Sequence, residues 1–522
     1  MNPTLTLTLT TEQENALQQA RKHRVTLLHG VTSSGKTEVY IRRVAEVIKE
    51  GKQAIVLVPE ISLTPQTIER FSANFKTTVL HSKLTPKERF ESWNRIINAE
   101  VDIVVGARSA VFAPFPNLGL IIIDEEHDSS YKQDSQPRYH TRDVALQRSK
   151  RSGTKVILGS ATPALETFHL FQKNDPDFAY VEMKKRIDNY PLPPVELVDM
   201  RQELKDDNRT VLSRALRDSL KKCLSKGEQV ILLLNRRGFS SFLLCRECGA
   251  TLLCPKCHVT LTYHNDQQLK CHYCNYEQSS TTSCPKCSSI YFKYLGSGTQ
   301  KAEKELQQSF KDLKLLRMDK DTTQKRGSHQ DILEKFKKGE GNVLLGTQMI
   351  AKGLDFPNVT LVGVINADTA LYLPDFRSAE RTFQLMTQVA GRSGRGLKGG
   401  KVVIQTYNPE HYALQAAKDH DYTKFYNEEI QYRQALNYPP FSKLTSLVIS
   451  GPDKYQARVF AEKIAKELQD YNVLGPAPAP LHKLRNRYRW QMLIKGKDLP
   501  GSLLEPPAGL KIDIDVDPLN LL

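Results

Sequence analysis

Residues 30–37 read GVTSSGKT, a complete GxxxxGK[ST] pattern, and no other stretch limits the fold as tightly. The pattern works where a β-strand turns sharply into an α-helix. Its glycines let backbone N–H groups close on phosphate oxygens, and the helix N-terminus adds a favourable dipole. The flanks supply both elements. Residues 25–28 are an apolar run, and residues 37–50 carry Val39, Val44, Val47 and Ile48 on roughly one helical face. Gly30 and Gly35 then shape the loop, Lys36 reaches the β- and γ-phosphates, and the Thr37 hydroxyl ligates Mg2+.

The rest of the chain repeats this alternation. Strands are expected at 54–58, 102–105, 120–123 and 155–158. A second set is expected at 230–234, 343–346, 360–365 and 402–405, with helices at 298–310, 330–338 and 377–390. Continuous apolar strands alternating with helices mean parallel sheets covered on both faces, so two sets mean two α/β lobes. The proline-rich stretch 190–194 reads as a linker between them. After about residue 408 the pattern changes to a smaller α+β unit, with strands at 443–449, 488–494 and 510–516 and a helix at 453–468.

The cysteines mark a separate element. Eight of the nine fall into four CxxC pairs between residues 245 and 287, and Cys223 stands alone as a buried thiol. Each CxxC turn aims two thiolates at one point, which suits tetrahedral zinc. A disulfide framework fits poorly in a chain otherwise nearly free of cysteine, and an iron–sulfur cluster remains the other alternative. Spacing alone leaves the pairing open. The inner pairs, Cys254/Cys257 and Cys271/Cys274, resemble a zinc-ribbon hairpin. The outer pairs, Cys245/Cys248 and Cys284/Cys287, are then left to close a nested second site. No set leaves a position for water, so both sites read as structural, and the segment is too small to fold without them. Its histidines, His258, His264 and His272, read as surface groups and not ligands. With Arg246, Lys256, Tyr263 and Tyr273 they suggest a basic, aromatic wedge.

Residues 121–127 read IIIDEEH, an apolar strand ending in acids. Asp124 is placed to hold Mg2+ from its outer coordination sphere, and Glu125 to orient and deprotonate the attacking water. QVAGRSGR at 388–395 supplies Arg392 and Arg395, cations suited to the charge that develops in phosphoryl transfer. The formal net charge of +16 is compatible with a polyanionic partner or with a solvated basic surface. No apolar run approaches the roughly 20 residues a membrane helix needs, and the N-terminus lacks a signal-peptide pattern. A cytoplasmic location without a membrane partner is therefore expected.

Taken in order, GVTSSGKT, LVPEISLTPQ (57–66), GARSA (106–110), DEEH (124–127), GSATP (159–163), LLNRRGFS (233–240), LLGTQMIAKGLDFP (344–357) and QVAGRSGR resemble a superfamily 2 helicase with a DEEH box. The cysteine insert directly after NRRGF, together with RYHTRD, DFRSAER and RYRWQ, resembles the primosomal protein N′ (PriA) family of replication-restart helicases, from about residue 9 to 518.

The resemblance implies two RecA-like P-loop lobes, a two-zinc insert in the second and a small α+β C-terminal domain. Boundaries are expected at 1–190 for lobe 1, 191–241 and 292–410 for lobe 2, 242–291 for the insert and 411–522 for the last domain. It implies an ATP-dependent 3′→5′ DNA helicase, with Mg2+ and two Zn2+ per chain, that acts on stalled forks and D-loops and starts primosome assembly. Its alternative is a fork-binding scaffold whose ATPase is a conformational switch. Implied partners are single-stranded and forked DNA, single-strand binding protein, helicase-loader proteins and the replicative helicase, around a nucleoid-associated monomer. Carried over by motif, Gln13 reads the adenine edge and Gln388 belongs to the nucleotide site. His127 and Thr162 couple nucleotide to DNA. Thr64, Gln66, Arg108, Ser109, Thr347 and Gln348 hold the single-strand backbone, and Lys483, Arg487, Tyr488 and Trp490 form a basic-aromatic patch. Two departures follow. Only 29 residues precede Gly30, so the family's usual N-terminal DNA-binding region is expected to be absent. The loop after DEEH carries Pro137 near the family's tryptophan, which leaves Tyr131, Arg138 and Tyr139 to stack on bases.

Overall fold

The computed structural model describes residues 8–60, 65–187, 190–234, 242–264, 267–295, 299–310, 313–319, 328–347, 350, 356–393, 399–496, 499 and 505–521. They divide into two compact units, Met1–Pro191 and Leu192–Leu522. No helix among them is long and apolar enough to cross a membrane.

The first unit is built on seven strands: β1 (Val25–Gly30), β2 (Gln53–Leu57), β3 (Thr77–Leu80), β4 (Ile103–Gly106), β5 (Leu118–Asp124), β6 (Lys155–Ser160) and β7 (Phe178–Met183). Every pairing is parallel, in the order β3-β4-β2-β5-β6-β1-β7. The central strands are apolar throughout because helices cover both faces; Ile121, Ile122 and Ile123 are fully buried. This order decides the chemistry. β5, β6 and β1 are neighbours, so the ends of IIIDEEH, GSATP and GVTSSGKT emerge side by side at the carboxyl edge of the sheet, where open α/β sheets bind ligands.

β3 and β7 escape the sequence reading. Both are outer strands, and their burial alternates instead of running continuously, so no apolar run marks them.

The second unit begins with β8 (Val195–Asp199) and β9 (Gln229–Leu233). An insert follows, framed by β10 (Phe242–Cys245) and β14 (Phe292–Leu295), which pair antiparallel. Between them β11 (Thr262–Tyr263), β12 (Gln268–Lys270) and β13 (Glu277–Ser279) form a small antiparallel sheet. The main sheet then resumes with β15 (Leu315–Met318), β16 (Val343–Gly346), β17 (Val359–Val364) and β18 (Lys401–Thr406), all parallel in the order β15-β16-β9-β17-β18-β8. β8 and β15, again outermost, were not expected.

The last sheet holds β19 (Lys443–Gly451), β20 (Asn472–Leu484), β21 (Arg487–Gly496) and β22 (Lys511–Val516), antiparallel in the order β20-β21-β19-β22. The helix Lys454–Glu467 buries Ala457, Phe460, Ala461 and Ile464 against it. β20 carries Pro476, Pro478 and Pro480, which lack N–H donors. Its outer position tolerates them, and they conceal it from a periodicity reading.

Candidate nucleotide site and cysteine centres

β1 delivers Gly30 to the loop, and the helix Lys36–Lys49 leaves it from Gly35. Gly35 lies in the left-handed region at φ 84°, and a Cβ there would collide with the Gln13 amide and meet Ile187, so only glycine fits. Gln13 is buried. Its Nε2 donates to Ser34 O (3.4 Å), while its Oε1 accepts from Thr10 N (2.9 Å) in a capping box that opens the helix Thr11–Lys22. Lys36 Nζ donates to Gly30 O (2.7 Å) across the mouth of the loop. Ser34 Oγ is buried without a hydrogen-bond partner, as a loop built to meet an oxyanion would leave it.

Two strands from β1, across β6, β5 ends at Asp124. Tyr40 OH, from the P-loop helix, donates to Asp124 Oδ1 (3.0 Å), and Tyr131 OH donates to the Asp124 carbonyl (2.7 Å). Burial raises the Asp124 carboxyl to about 6, the Glu125 charge adds to the shift, and Lys36 opposes it. A buried acid facing a second acid suits a divalent cation, which would restore both charges. Glu125 takes φ 49°; its buried Oε2 makes no hydrogen bond and lies 3.7 Å from His127 Nδ1.

The next two residues tie this strand end to β6. His127 Nδ1 lies 2.7 Å from Ser160 Oγ, which accepts from Thr162 N (2.9 Å). The fully buried Thr162 hydroxyl has no partner. Glu126, absent from the sequence reading, is 2% exposed. Its carboxylate accepts from Ala164 N (2.7 Å) and Thr167 Oγ1 (2.8 Å), capping the helix Leu165–Phe171 that follows GSATP. Tyr40 shapes the same corner. A Cβ on Gly159 would strike its hydroxyl. Only the strand order reveals the roles of Glu126, Tyr40 and Ser160, although a fully acidic DEE run after a buried strand hints that one acid faces inward.

The thiols form two groups, Cys245/Cys248/Cys284/Cys287 and Cys254/Cys257/Cys271/Cys274, each with its sulfurs within 4.8 Å of one another. The outer group brackets the β10–β14 ladder, and the inner one closes the ribbon of β11–β13. Four thiolate donors per group, with no position left over, fit a structural tetrahedral metal. The outer group includes exposed Cys287 and half-buried Cys248; in the inner group only Cys274 is not fully buried.

Family models match the chain in the same order: DEAD/DEAH box helicase over residues 10–171, the PriA DNA helicase Cys-rich region over 254–278, the helicase conserved C-terminal domain over 285–396, and the primosomal protein N C-terminal domain over 434–519. The replication restart protein PriA of Haemophilus influenzae is 40% identical over 99% of this chain and 73% of its own length. The chain belongs to the PriA family. The replication restart proteins PriA of Bacillus subtilis and Synechocystis are 49% and 46% identical over 94% and 98% of this chain. The chain spans 62% and 65% of those two relatives.

Several residues expected at DNA stand differently in this PriA-family chain. Tyr131 is 1% exposed and holds the end of β5, so it is not a stacking surface. Arg108 Nη1 donates to Ser130 O (2.8 Å) and Lys132 O (2.6 Å), so its guanidinium braces the loop after DEEH. Tyr139 packs edge-on against exposed Phe112 at 4.8 Å, and Arg138 beside it is half-buried. Ser109 and Gln66 are exposed. In the second unit Gln388 closes the helix Ser378–Ala390, Arg392 follows half-buried, and Thr347 sits just after β16. Thr64, Gln348 and Arg395 lie outside the described residues.

The basic-aromatic patch of the C-terminal sheet separates by side. Lys483 is exposed and its Nζ stands 4.9 Å from the Tyr488 ring centroid. Arg487 donates to Ser450 O (2.7 Å) and Gly509 O (2.8 Å). Trp490 is 6% exposed and packs in the core under the helix Lys454–Glu467, so it is not an open stacking platform. On the insert His272 and Tyr273 are buried, contrary to a wedge made of its histidines and tyrosines. Its exposed apolar groups are Leu253, Ile290 and Tyr291.

Proposed function

We propose that this chain is an ATP-dependent DNA helicase that translocates 3′→5′ and restarts replication at stalled forks and D-loops. The observation that carries the reading is the convergence of Lys36, Asp124, Glu125 and the His127–Ser160–Thr162 link on three adjacent strand ends of one helicase lobe. ATP held there with Mg2+ would supply a hydrolysable phosphoanhydride and a neutralising charge. Lys36 leaves Gly30 O to bind the terminal phosphates, Thr37 and Asp124 hold the cation, and Gln13 meets the base. Glu125 orients and deprotonates the attacking water. Arg392 and Arg395 supply positive charge for the transition state. Movement of the Glu125 carboxylate reaches Thr162 through His127 and Ser160, which couples hydrolysis to the grip on single-stranded DNA.

Phosphate contacts from Gln66, Ser109, Thr347 and Lys483 carry no sequence information, so binding is structure-specific and falls steeply with salt. Each cysteine group holds one Zn2+. Partners on this reading are forked DNA, single-strand binding protein and the loader of the replicative helicase, in a cytoplasmic setting.

The test is strand displacement on a forked duplex with a 3′ single-stranded tail. ATP-dependent unwinding, lost in Lys36→Ala with metal content unchanged, is expected. Fork binding without unwinding points to the scaffold instead, and DNA-stimulated hydrolysis that persists in Lys36→Ala overturns the site.

A further inference from the structure

A cavity of about 460 Å³ lies between the cysteine-rich insert and the C-terminal sheet. On its insert side His264 and His272 place their Nε2 atoms 3.2 Å apart. Two nitrogens held 2.0–2.1 Å from one tetrahedral zinc ion stand roughly 3.3 Å apart, so the pair already has the spacing of two ligands on one metal. The tautomer of His272 is fixed from outside. Its Nδ1 lies 2.9 Å from the Pro478 carbonyl, which can only accept, so Nδ1 carries the proton and Nε2 presents its lone pair. A backbone carbonyl fixing the far nitrogen of an imidazole is the usual support of a metal-binding histidine. A third imidazole lines the same cavity from β20: His482 Nε2 is buried and has no hydrogen-bond partner.

We infer that His264 and His272 form a third metal site, separate from the two cysteine groups, that takes one borderline transition-metal cation such as Zn2+ or Co2+. The cavity gives space for water to complete the coordination, and His482 is the residue placed to add a third nitrogen. Among the described residues only the two cysteine groups bring three or more ligand atoms within 4.8 Å, so the preassembled part is the imidazole pair. Both rings bind as neutral imidazoles, and the proton of His264 resides on Nδ1 in the bound form. His264 and His272 belong to the insert and His482 to the C-terminal sheet, so an ion that also takes His482 fastens one to the other.

The experiment uses the full chain with its tightly held metal counted first, then titrated with Co2+ and followed by visible absorption. One further equivalent is expected, with the weak absorption of nitrogen and oxygen ligation and no new thiolate charge-transfer band. His264→Ala, at a half-buried position, should weaken it by about tenfold or more while the tightly held metal stays constant. His272→Gln and His482→Ala serve as independent second variants. Absence of the extra equivalent at millimolar Co2+ overturns the site and leaves the pair as a plain hydrogen bond. So does binding that both His264→Ala and His272→Gln leave unchanged. New thiolate bands would instead report exchange at the cysteine groups and count against the site.

Discussion

Replacing Glu126 tests how the nucleotide edge of the first unit is held together. Its carboxylate is 2% exposed and accepts two hydrogen bonds, from Ala164 N and Thr167 Oγ1, at 2.7 and 2.8 Å. Thr167 Oγ1 also accepts from Arg142 Nη1 (2.9 Å), which links the acid to a half-buried cation. Glu126→Ala removes these two charge-assisted bonds and leaves the Ala164 amide without this acceptor at the start of a helix whose N-cap residue supplies no side-chain cap. At about 1.5–3 kcal/mol per bond the loss is about 4 kcal/mol. For a unit of this size that corresponds to a fall of about 8–16 °C in its melting transition. Glu126→Gln, which keeps one acceptor, should lose about half as much. Lys36, Thr37 and Asp124 are untouched, so affinity for a fluorescent ATP analogue should hold, while stimulation of hydrolysis by single-stranded DNA drops as residues 160–164 loosen. Calorimetry, analogue titration and hydrolysis with and without DNA read these separately. A Glu126→Ala melting point within about 2 °C of the parent would refute the clip. Loss of nucleotide affinity equal to that of Lys36→Ala would instead place Glu126 in the nucleotide site.

Three further outcomes follow from the same geometry. Asp124 is raised to about 6 when folded, against 3.8 unfolded. The folded unit therefore holds the extra proton between those values, and its stability declines as pH rises from about 4 through about 6. The effect is about 3 kcal/mol, and Asp124→Asn should flatten it and melt higher than the parent at pH 7 without nucleotide, as thermal scans across pH would show. Gly159→Ala should cost about 1–3 kcal/mol by driving a methyl into the Tyr40 hydroxyl, and adding Tyr40→Phe should recover part of that, a coupling a double-mutant cycle measures. Cys287→Ser and Cys254→Ser should each release one metal by elemental analysis. The exposed Cys287 site should yield first to a chelator, and Cys254→Ser should lower the melting transition of the second unit more.

Legibility in the sequence followed burial. Strands covered on both faces announce themselves: 343–346 coincides with β16, and 120–123 lies within β5. β3, β7 and β8 sit at sheet margins, where half-burial replaces a continuous apolar run, and β20 is masked by prolines. The contiguous motifs name Lys36, Asp124 and Glu125 as candidates without the fold, because each motif is a short run of sequence at one strand end. Glu126, Ser160 and Tyr40 depend on which strands lie side by side, which no local pattern contains. The patch RYRWQ misled in another way. Cations and aromatics next to each other in sequence look like one surface, but a strand sends alternate residues to opposite faces. Arg487 therefore clamps Ser450 O and Gly509 O while Trp490 enters the core.

The cysteine insert also packs differently from a strap hinged on β10 and β14. Cys254, Cys257, Cys271, Leu269 and Tyr273 share one hydrophobic cluster with Tyr438, Leu444, Leu493 and Leu521 of the C-terminal region. Gln491 Nε2 donates to His272 O (2.6 Å) across the same boundary. The cluster continues into the segment before the arginine motif. Phe376 stacks on Tyr438 with centroids 4.3 Å apart, and the Arg433 guanidinium lies 4.7 Å from the Phe376 ring. Arg433, 1% exposed, donates to Glu429 (2.6 Å) and to Glu380 (2.9 Å) in the helix that leads to Arg392. Arg377 and Arg381 of the same segment reach the Pro518 and Leu519 carbonyls. Removing one partner from a buried pair of this kind costs about 3–5 kcal/mol. Ribbon, C-terminal sheet and the helix that leads to Arg392 are thus held by one continuous set of contacts, so disrupting the inner cysteine group is expected to disturb that helix as well as the ribbon.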